Sequence, residues 1–290
     1  MGSPRSCGDI MKDIVESTIL VTGSTDGIGK LTAKGLAAKG ATVLLHGRNP
    51  QKGEEVLMEL QRAVRGGRFQ YYNADLSSLG EVAKLAQAVT NDHSRLDVLV
   101  NNAGIGEGKQ GQQIREVSRD GFELRFAVNY LAPFLLTRIL VPLLRRSAPS
   151  AIVNVSSMSQ RQIDFYDPML ERHYDPQAAY GQSKLALVMM TLDLAEELKE
   201  DGITVNAVHP GNLLNTKMVR EAFGHGWGDP QEGADAVINI VTSYALEGVT
   251  GRFFAQGYEA IAHPQAYDPH ARTVLRELSL GFTRAFYPRP

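Results

Sequence analysis

A short apolar run at residues 19–21 leads into Thr22-Gly23-Ser24-Thr25-Asp26-Gly27-Ile28-Gly29, and then into a segment at residues 30–39 with helical apolar spacing, carried by Ile28, Leu31 and Leu36. No other feature restricts the fold as much. A strand, a glycine turn and a helix in that order aim backbone N–H groups and a helix N-terminus at a pyrophosphate. Glycine supplies positive φ there and lets the backbone approach a ligand closely. The spacing is Gly-x-x-x-Gly-x-Gly rather than the commoner Gly-x-Gly-x-x-Gly. The plainer alternative is an ordinary strand-to-helix turn, but both flanks fit the nucleotide arrangement. Gly23, Thr25, Asp26, Gly27 and Ile28 are the candidate contacts.

A second strand at residues 42–46 ends in His46-Gly47-Arg48-Asn49, without a carboxylate. An acidic residue near this point would hold a ribose 2′-hydroxyl, whereas an arginine accommodates a 2′-phosphate. Arg48 offers a planar fork suited to phosphate, so the sequence points to NADP(H) over NAD(H). The alternative is a solvated loop arginine. Strand and helix patterns then alternate along the chain. Strands are expected at residues 68–73, 96–100, 151–156, 203–209 and 252–255. Helices are expected at 50–65, 79–91, 119–146 (bent at Pro133), 178–200 and 231–245, with a C-terminal helix within 266–282. Such alternation predicts an α/β fold, a doubly wound Rossmann-type parallel sheet of about seven strands with helices on both faces. One domain is expected over residues 14–290, behind a flexible tail at 1–13.

Tyr180-Gly181-Gln182-Ser183-Lys184 places a phenol and an ammonium four residues apart, on one face if the segment is helical. A neighbouring ammonium favours the tyrosinate and lowers a pKa of about 10. That makes a proton donor usable near neutral pH. Alone, the spacing also fits a solvated pair on a helix surface.

With Asp75-Leu76, Asn101-Asn102-Ala103-Gly104, Asn129, Ser156-Ser157 and Pro210-Gly211 in the same order, the chain resembles the single-domain short-chain dehydrogenase/reductase family over residues 17–216. The resemblance implies a role for each position. Asp75, with Leu76 beside it, would meet the adenine. Asn101, Asn102, Ala103 and Gly104 would line the adenosine side and steady the sheet. Asn129 would hold a water in a proton relay, Ser157 would bond the substrate oxygen, and Tyr180 would be the general acid/base. Lys184 would bind the nicotinamide ribose and lower the Tyr180 pKa, with Pro210 and Gly211 near the nicotinamide. Thr216 stands five residues beyond Gly211, where the family pattern has a threonine at four, so its nicotinamide contact is open by one residue. The long stretch between Ser157 and Tyr180 is similar to the retinol-dehydrogenase-like and WW-domain-oxidoreductase-like subgroup. Substrate loops are expected at residues 157–179 and 212–230. Phe165, Tyr166, Met169, Tyr174, Met218, Phe223 and Trp227 would either line a pocket for a bulky apolar ketone or aldehyde or pack the lid down. The broad apolar surface of the Tyr180 helix suggests a homodimer or homotetramer, or else an ordinary core.

A formal charge of −2 gives no bulk attraction to nucleic acid. The single cysteine, Cys7, excludes an internal disulfide framework, and no metal-ligand spacing occurs. No apolar run approaches the length of a membrane span, Arg138 interrupting the most apolar stretch at 134–144. A cytoplasmic enzyme acting on a small carbonyl or alcohol is the expectation. A non-catalytic NADP(H)-binding sensor or scaffold is the competing class. A nucleotide-sugar epimerase is disfavoured by the glycine spacing.

Overall fold

A computed structural model of the chain describes residues 14–108, 111 and 114–288. The expected tail at 1–13, and part of the glycine-rich loop at 106–113, lie outside the described residues. The first half alternates β1 (Thr18–Val21), α1 (Gly27–Ala38), β2 (Thr42–Gly47), α2 (Pro50–Ala63), β3 (Arg68–Asn73), α3 (Leu79–Asp92) and β4 (Val98–Asn101). One helical turn, α4 (Leu124–Phe126), passes through a π turn (Ala127–Leu131) into α5 (Ala132–Arg146). Then follow β5 (Ser150–Val155), α6 (Pro176–Glu197), β6 (Ile203–His209), α7 (Lys217–Phe223), α8 (Pro230–Thr242), β7 (Phe253–Ala255), β8 (Tyr258–Glu259) and α9 (Pro269–Thr283).

The sheet order is β3-β2-β1-β4-β5-β6-β7-β8, parallel throughout except for the antiparallel edge strand β8. The eighth strand exceeds the seven expected because two residues leave no readable alternation. The strands are apolar runs because both faces are covered. Leu20, Leu44, Leu99 and Ile152 face one core layer together with α3, α5 and α6. Their neighbours Ile19, Val21, Val43, Val100 and Val153 face the other, with α1, α2 and α8. The order reverses between β1 and β4, which opens a crevice at the strands' C-terminal ends.

Three expectations are corrected. The helix expected from residue 119 begins at Leu124, because Val117 and Glu123 form an antiparallel bridge around Gly121, whose φ is +87°. The break in that helix is the π turn ahead of Pro133, not the proline itself. The segment after Gly211 contains a short helix, α7, which was not expected. The run Leu124–Arg146 is 23 residues long and apolar enough to cross a bilayer by length and composition alone, but 83% of its most apolar window is buried inside the chain.

Candidate active site at the switch point

At the N-terminus of α1, Asp26 accepts from the Gly27 amide at 2.8 Å and from Lys52 Nζ at 2.7 Å. Burial works to raise this carboxyl, but the bonds from Lys52 and Gly27 outweigh it and hold it below the usual carboxylate range. The glycine turn is closed on its inner side. A Cβ on Gly23 would lie 2.8 Å from the Ala103 Cα, and one on Gly29 would lie 2.3 Å from both the Gly23 carbonyl oxygen and Asn102 Nδ2. On the outer side, a Cβ on Gly27 would meet only the Thr216 methyl group, at 3.6 Å. The turn therefore leaves open space in front of a helix N-terminus, a cradle that fits a nucleotide's phosphates.

Residues behind the turn brace it. Asn102 Nδ2 donates to the Thr22 carbonyl at 2.8 Å, and Thr22 Oγ1 accepts from the Asn102 and Ala103 amides at 3.0 Å each. His46, buried at the end of β2, accepts from the Gly23 amide through Nδ1 at 3.1 Å and donates through Nε2 to the Ala74 carbonyl at 3.1 Å. Burial holds its imidazole down at about 4, so it is neutral in this role. Its signal in the sequence was a polar residue closing an apolar strand, but nothing in the sequence paired it with Gly23.

Arg48 is exposed, and among the described residues nothing engages it. Asp75 bonds the Ser77 amide at 3.0 Å and faces Arg119 Nη2 at 3.4 Å. The Leu76 side chain is buried in the core, leaving only its main chain for a ligand. Ile28 packs partly into the other core layer. Thr25 lies against Gly47, where an added Cβ would come within 2.6 Å of its methyl group.

The expected chemical groups meet beyond β4 and β5. Lys184, buried on α6, donates from Nζ to the Val155 carbonyl at 3.0 Å, and Nζ lies 5.8 Å from the centre of the Tyr180 ring. A Cβ on Gly104 would stand 3.3 Å from Lys184 Nζ and 3.2 Å from Asn129 Oδ1, so Gly104 allows this close packing. The two serines are set apart by their partners. Ser156 Oγ donates to the Lys184 carbonyl at 2.8 Å, whereas Ser157 Oγ accepts from the Ser159 amide at 3.1 Å and faces the Tyr180 phenol closely enough to favour its charged form. Asn129, fully buried in the π turn, accepts from the Ile105 amide at 2.8 Å and donates to Ser183 Oγ at 3.0 Å. Nδ2 also donates to the Ile105 carbonyl at 3.0 Å, so both amide N–H groups are spent on fixing the loop after β4, while Oδ1 keeps one lone pair. Asn101 steadies the sheet as expected, donating to Asn154 Oδ1 at 2.8 Å and Thr137 Oγ1 at 3.1 Å.

The expected lowering of the Tyr180 pKa by Lys184 is corrected. Burial pushes the phenol above its ordinary value, the Ser157 hydroxyl opposes this, and Glu107 adds to the rise. Burial also pushes the Lys184 ammonium down, to about 8. Glu107 was not singled out from the sequence. It sits on a loop whose Gly106 and Glu107 carbonyls accept from the buried Arg125, both at 3.2 Å. Gly211, with φ +148°, makes the bend after β6. His209 beside Pro210 bonds Asn212 Oδ1 at 3.1 Å. Thr216 caps α7 and lies at the mouth of the glycine turn.

The aromatic and methionine set divides. Met169 is buried and Phe165 packs against the core, while Tyr174 points its hydroxyl at Glu123 from 3.5 Å. Met218 covers Gly106, where an added Cβ would come within 2.8 Å of its Cγ. Phe223, Tyr166 and Trp227 stay exposed, Trp227 edge-on to His225.

A nucleotide cradle at the switch point beside a serine–tyrosine–lysine cluster defines a Rossmann-type oxidoreductase, and residues 17–225 match the short chain dehydrogenase family model. The chain belongs to the short-chain dehydrogenase family. Within it, the chain falls in the retinol-dehydrogenase-like subgroup. It is 36% identical to mouse (Mus musculus) retinol dehydrogenase 13, over 87% of this chain and 79% of the relative. It is 35% identical to human (Homo sapiens) retinol dehydrogenase 14, over 90% and 84% respectively. Among solved structures, the Pseudomonas aeruginosa RhlG/NADP active-site complex aligns with a TM-score of 0.68 at 30% identity, covering 84% of this chain and 97% of that one.

Proposed function

We propose that this protein is an NADP(H)-dependent oxidoreductase that interconverts a carbonyl and the corresponding alcohol, acting as a reductase on a bulky, largely apolar ketone or aldehyde. The observation that carries this reading is the meeting of the Ser157 hydroxyl, the Tyr180 phenol and the Lys184 ammonium at one end of the phosphate cradle. The nicotinamide, when bound, supplies the hydride for the carbonyl carbon. The protein's own groups do the rest. Ser157 donates to the substrate oxygen, where negative charge develops. Its Oγ already accepts from the Ser159 amide, which leaves its own proton to be donated. Tyr180 delivers the proton, and Lys184 bonds the ribose and offsets the charge left on the phenolate. A water held at Asn129 completes the relay. Gly23, Thr25, Asp26, Gly27 and Ile28 hold the pyrophosphate. Asp75, Leu76, Asn102, Ala103 and Gly104 line the adenosine side, and Pro210, Gly211 and Thr216 lie along the nicotinamide. Exposed Arg48 takes the 2′-phosphate.

The named retinol dehydrogenases support an apolar alcohol or aldehyde as the substrate class. A cytoplasmic setting belongs to the same reading and is tested by cell fractionation. The first test is a fluorescence titration with NADPH and NADH, followed by a panel of ketones and aldehydes read at the nicotinamide absorbance. Expected are tight NADPH binding and turnover of bulky carbonyls. Tyr180→Phe is expected to lose about 100-fold to 10,000-fold in kcat while NADPH still binds. A Tyr180→Phe enzyme with unchanged kcat sinks the assignment. Binding without turnover by the unaltered protein favours the sensor reading.

A further inference from the structure

We propose that Gln160, held by the main chain of His263, is a positioning residue that aims the hydroxyl of Ser157. Ser157 stands where the chain leaves β5. The Ser156 amide still bonds the Val208 carbonyl at 2.8 Å, but beyond it the sheet no longer supplies partners. The Gln160 side chain takes over. Its Nε2 donates to the Ser157 carbonyl at 2.8 Å, and its main-chain amide bonds the Met158 carbonyl at 2.8 Å. Together these bonds fold residues 157–160 into a tight turn. That turn presents the Ser159 amide to Ser157 Oγ at 3.1 Å, so the hydroxyl accepts there and its proton points elsewhere.

Gln160 is itself fixed from far along the chain. Its Oε1 accepts from the His263 amide at 2.8 Å, a contact 103 residues away in sequence. Gln265 repeats the device at Ile163, three residues on from Gln160. Its Oε1 accepts from the Ile163 amide at 2.8 Å and its Nε2 donates to the Ile163 carbonyl at 3.1 Å, as a neighbouring strand would. The Gln265 amide in turn bonds His263 Nδ1 at 3.2 Å. Ile163 and Ala266 are buried, so the clasp is anchored in the core on both sides. Two glutamine side chains thus join the start of the substrate insert to the segment that leads into α9. A primary amide suits this task because it offers a donor and an acceptor at once. Polarised in series, the chain His263 N–H, Gln160 amide, Ser157 carbonyl fixes the serine's backbone, and the Ser159 amide fixes its side chain.

The inference rests on the role proposed above for Ser157, and its test separates the two. Gln160→Met keeps size and removes both bonds. His263→Pro removes the N–H, and its φ of −55° already suits proline. His263→Ala keeps the N–H and removes the imidazole, so the ratio between the Pro and Ala variants isolates that bond. Gln160→Met is expected to lower kcat about 10-fold, with NADPH affinity within about twofold of the unaltered protein. His263→Pro is expected to fall about as far below His263→Ala. Gln160→Glu, which keeps the acceptor for His263 but loses the donor to Ser157, is expected to behave like Gln160→Met. Amide hydrogen exchange across residues 157–163 should quicken about 10-fold in Gln160→Met and His263→Pro, and this readout needs no turnover. Folded Gln160→Met and His263→Pro variants with unchanged kcat, or with unchanged exchange across that segment, overturn the proposal. Ser157→Ala in the same series distinguishes the failures. If it too turns over normally, the role of the serine falls; if it is inactive while the clasp variants are not, only the clasp falls.

Discussion

Neutral His46 ties the phosphate turn to the sheet, and its burial gives that turn a pH dependence. A histidine free in the unfolded chain titrates near 6.5, but in the fold it is held down at about 4. The unfolded state therefore binds more protons between those values, and stability rises with pH across that window. Stability is fully present above about 6.5 and is lost as pH falls toward 4, by on the order of 3 kcal/mol. Denaturant melts from pH 4 to 7 should show this slope, and His46→Asn should flatten it. Arg48 makes the opposite kind of prediction, since none of the described residues engages it. Arg48→Asp should weaken NADPH by about 1–3 kcal/mol while NADH changes little, because a charge-assisted bond to phosphate is lost. Equal losses for the two cofactors in a fluorescence titration would remove Arg48 from the site. Residue identities in the glycine turn and in Tyr180–Lys184 were readable because local spacing carries them. The partners of His46 and Glu107 were not, because those contacts join distant positions of the chain.

Helix α6 carries both Tyr180 and Lys184, so its start controls the placement of the proposed proton donor. Asp175 caps it, accepting from the Ala178 amide at 2.7 Å, and Pro176 opens its first turn. Asp175→Ala should cost about 1 kcal/mol in chemical denaturation. Because the frayed turn lies next to Tyr180, kcat should fall with it, whereas NADPH affinity should hold. Cap, proline and apolar run made this helix legible, as they did α1 and α2. The long helix after β4 was less so. Its π turn buries Asn129, a placement set by the Ile105 main chain and Ser183 rather than by any local propensity.

At the scale of the whole chain, α9 decides what becomes of the apolar surface of α6. Residues Gly181 to Leu192 are all buried within the chain, so the face expected to meet another subunit is covered internally. Arg272 holds α9 in place, bonding Asp193 Oδ1 and Glu196 Oε1, both at 2.9 Å. Arg276 adds a bond to Asp193 Oδ2 at 3.0 Å, and the Tyr130 hydroxyl meets Ser279 Oγ at 2.7 Å. A homodimer or homotetramer through α5 and α6 would first have to displace this helix. Arg272→Met removes a buried guanidinium and its bonds to Asp193 and Glu196, though Arg276 still pairs Asp193, and should cost about 1.5–3 kcal/mol. Light scattering should show self-association in that variant and none through this face in the unaltered protein. An unaltered protein that dimerises through crosslinks at Met189 or Met190 would refute this. The sequence by itself determined the strand–helix alternation, the phosphate turn and the residues offered for chemistry, because hydrophobic period and glycine spacing act over a few positions. Tertiary structure alone decided that α9 covers α6, that His46 braces Gly23, and that two glutamines clasp residues 157–163 to residues 263–265. Those contacts depend on which buried polar groups lack a partner, and that is fixed only once the chain has folded.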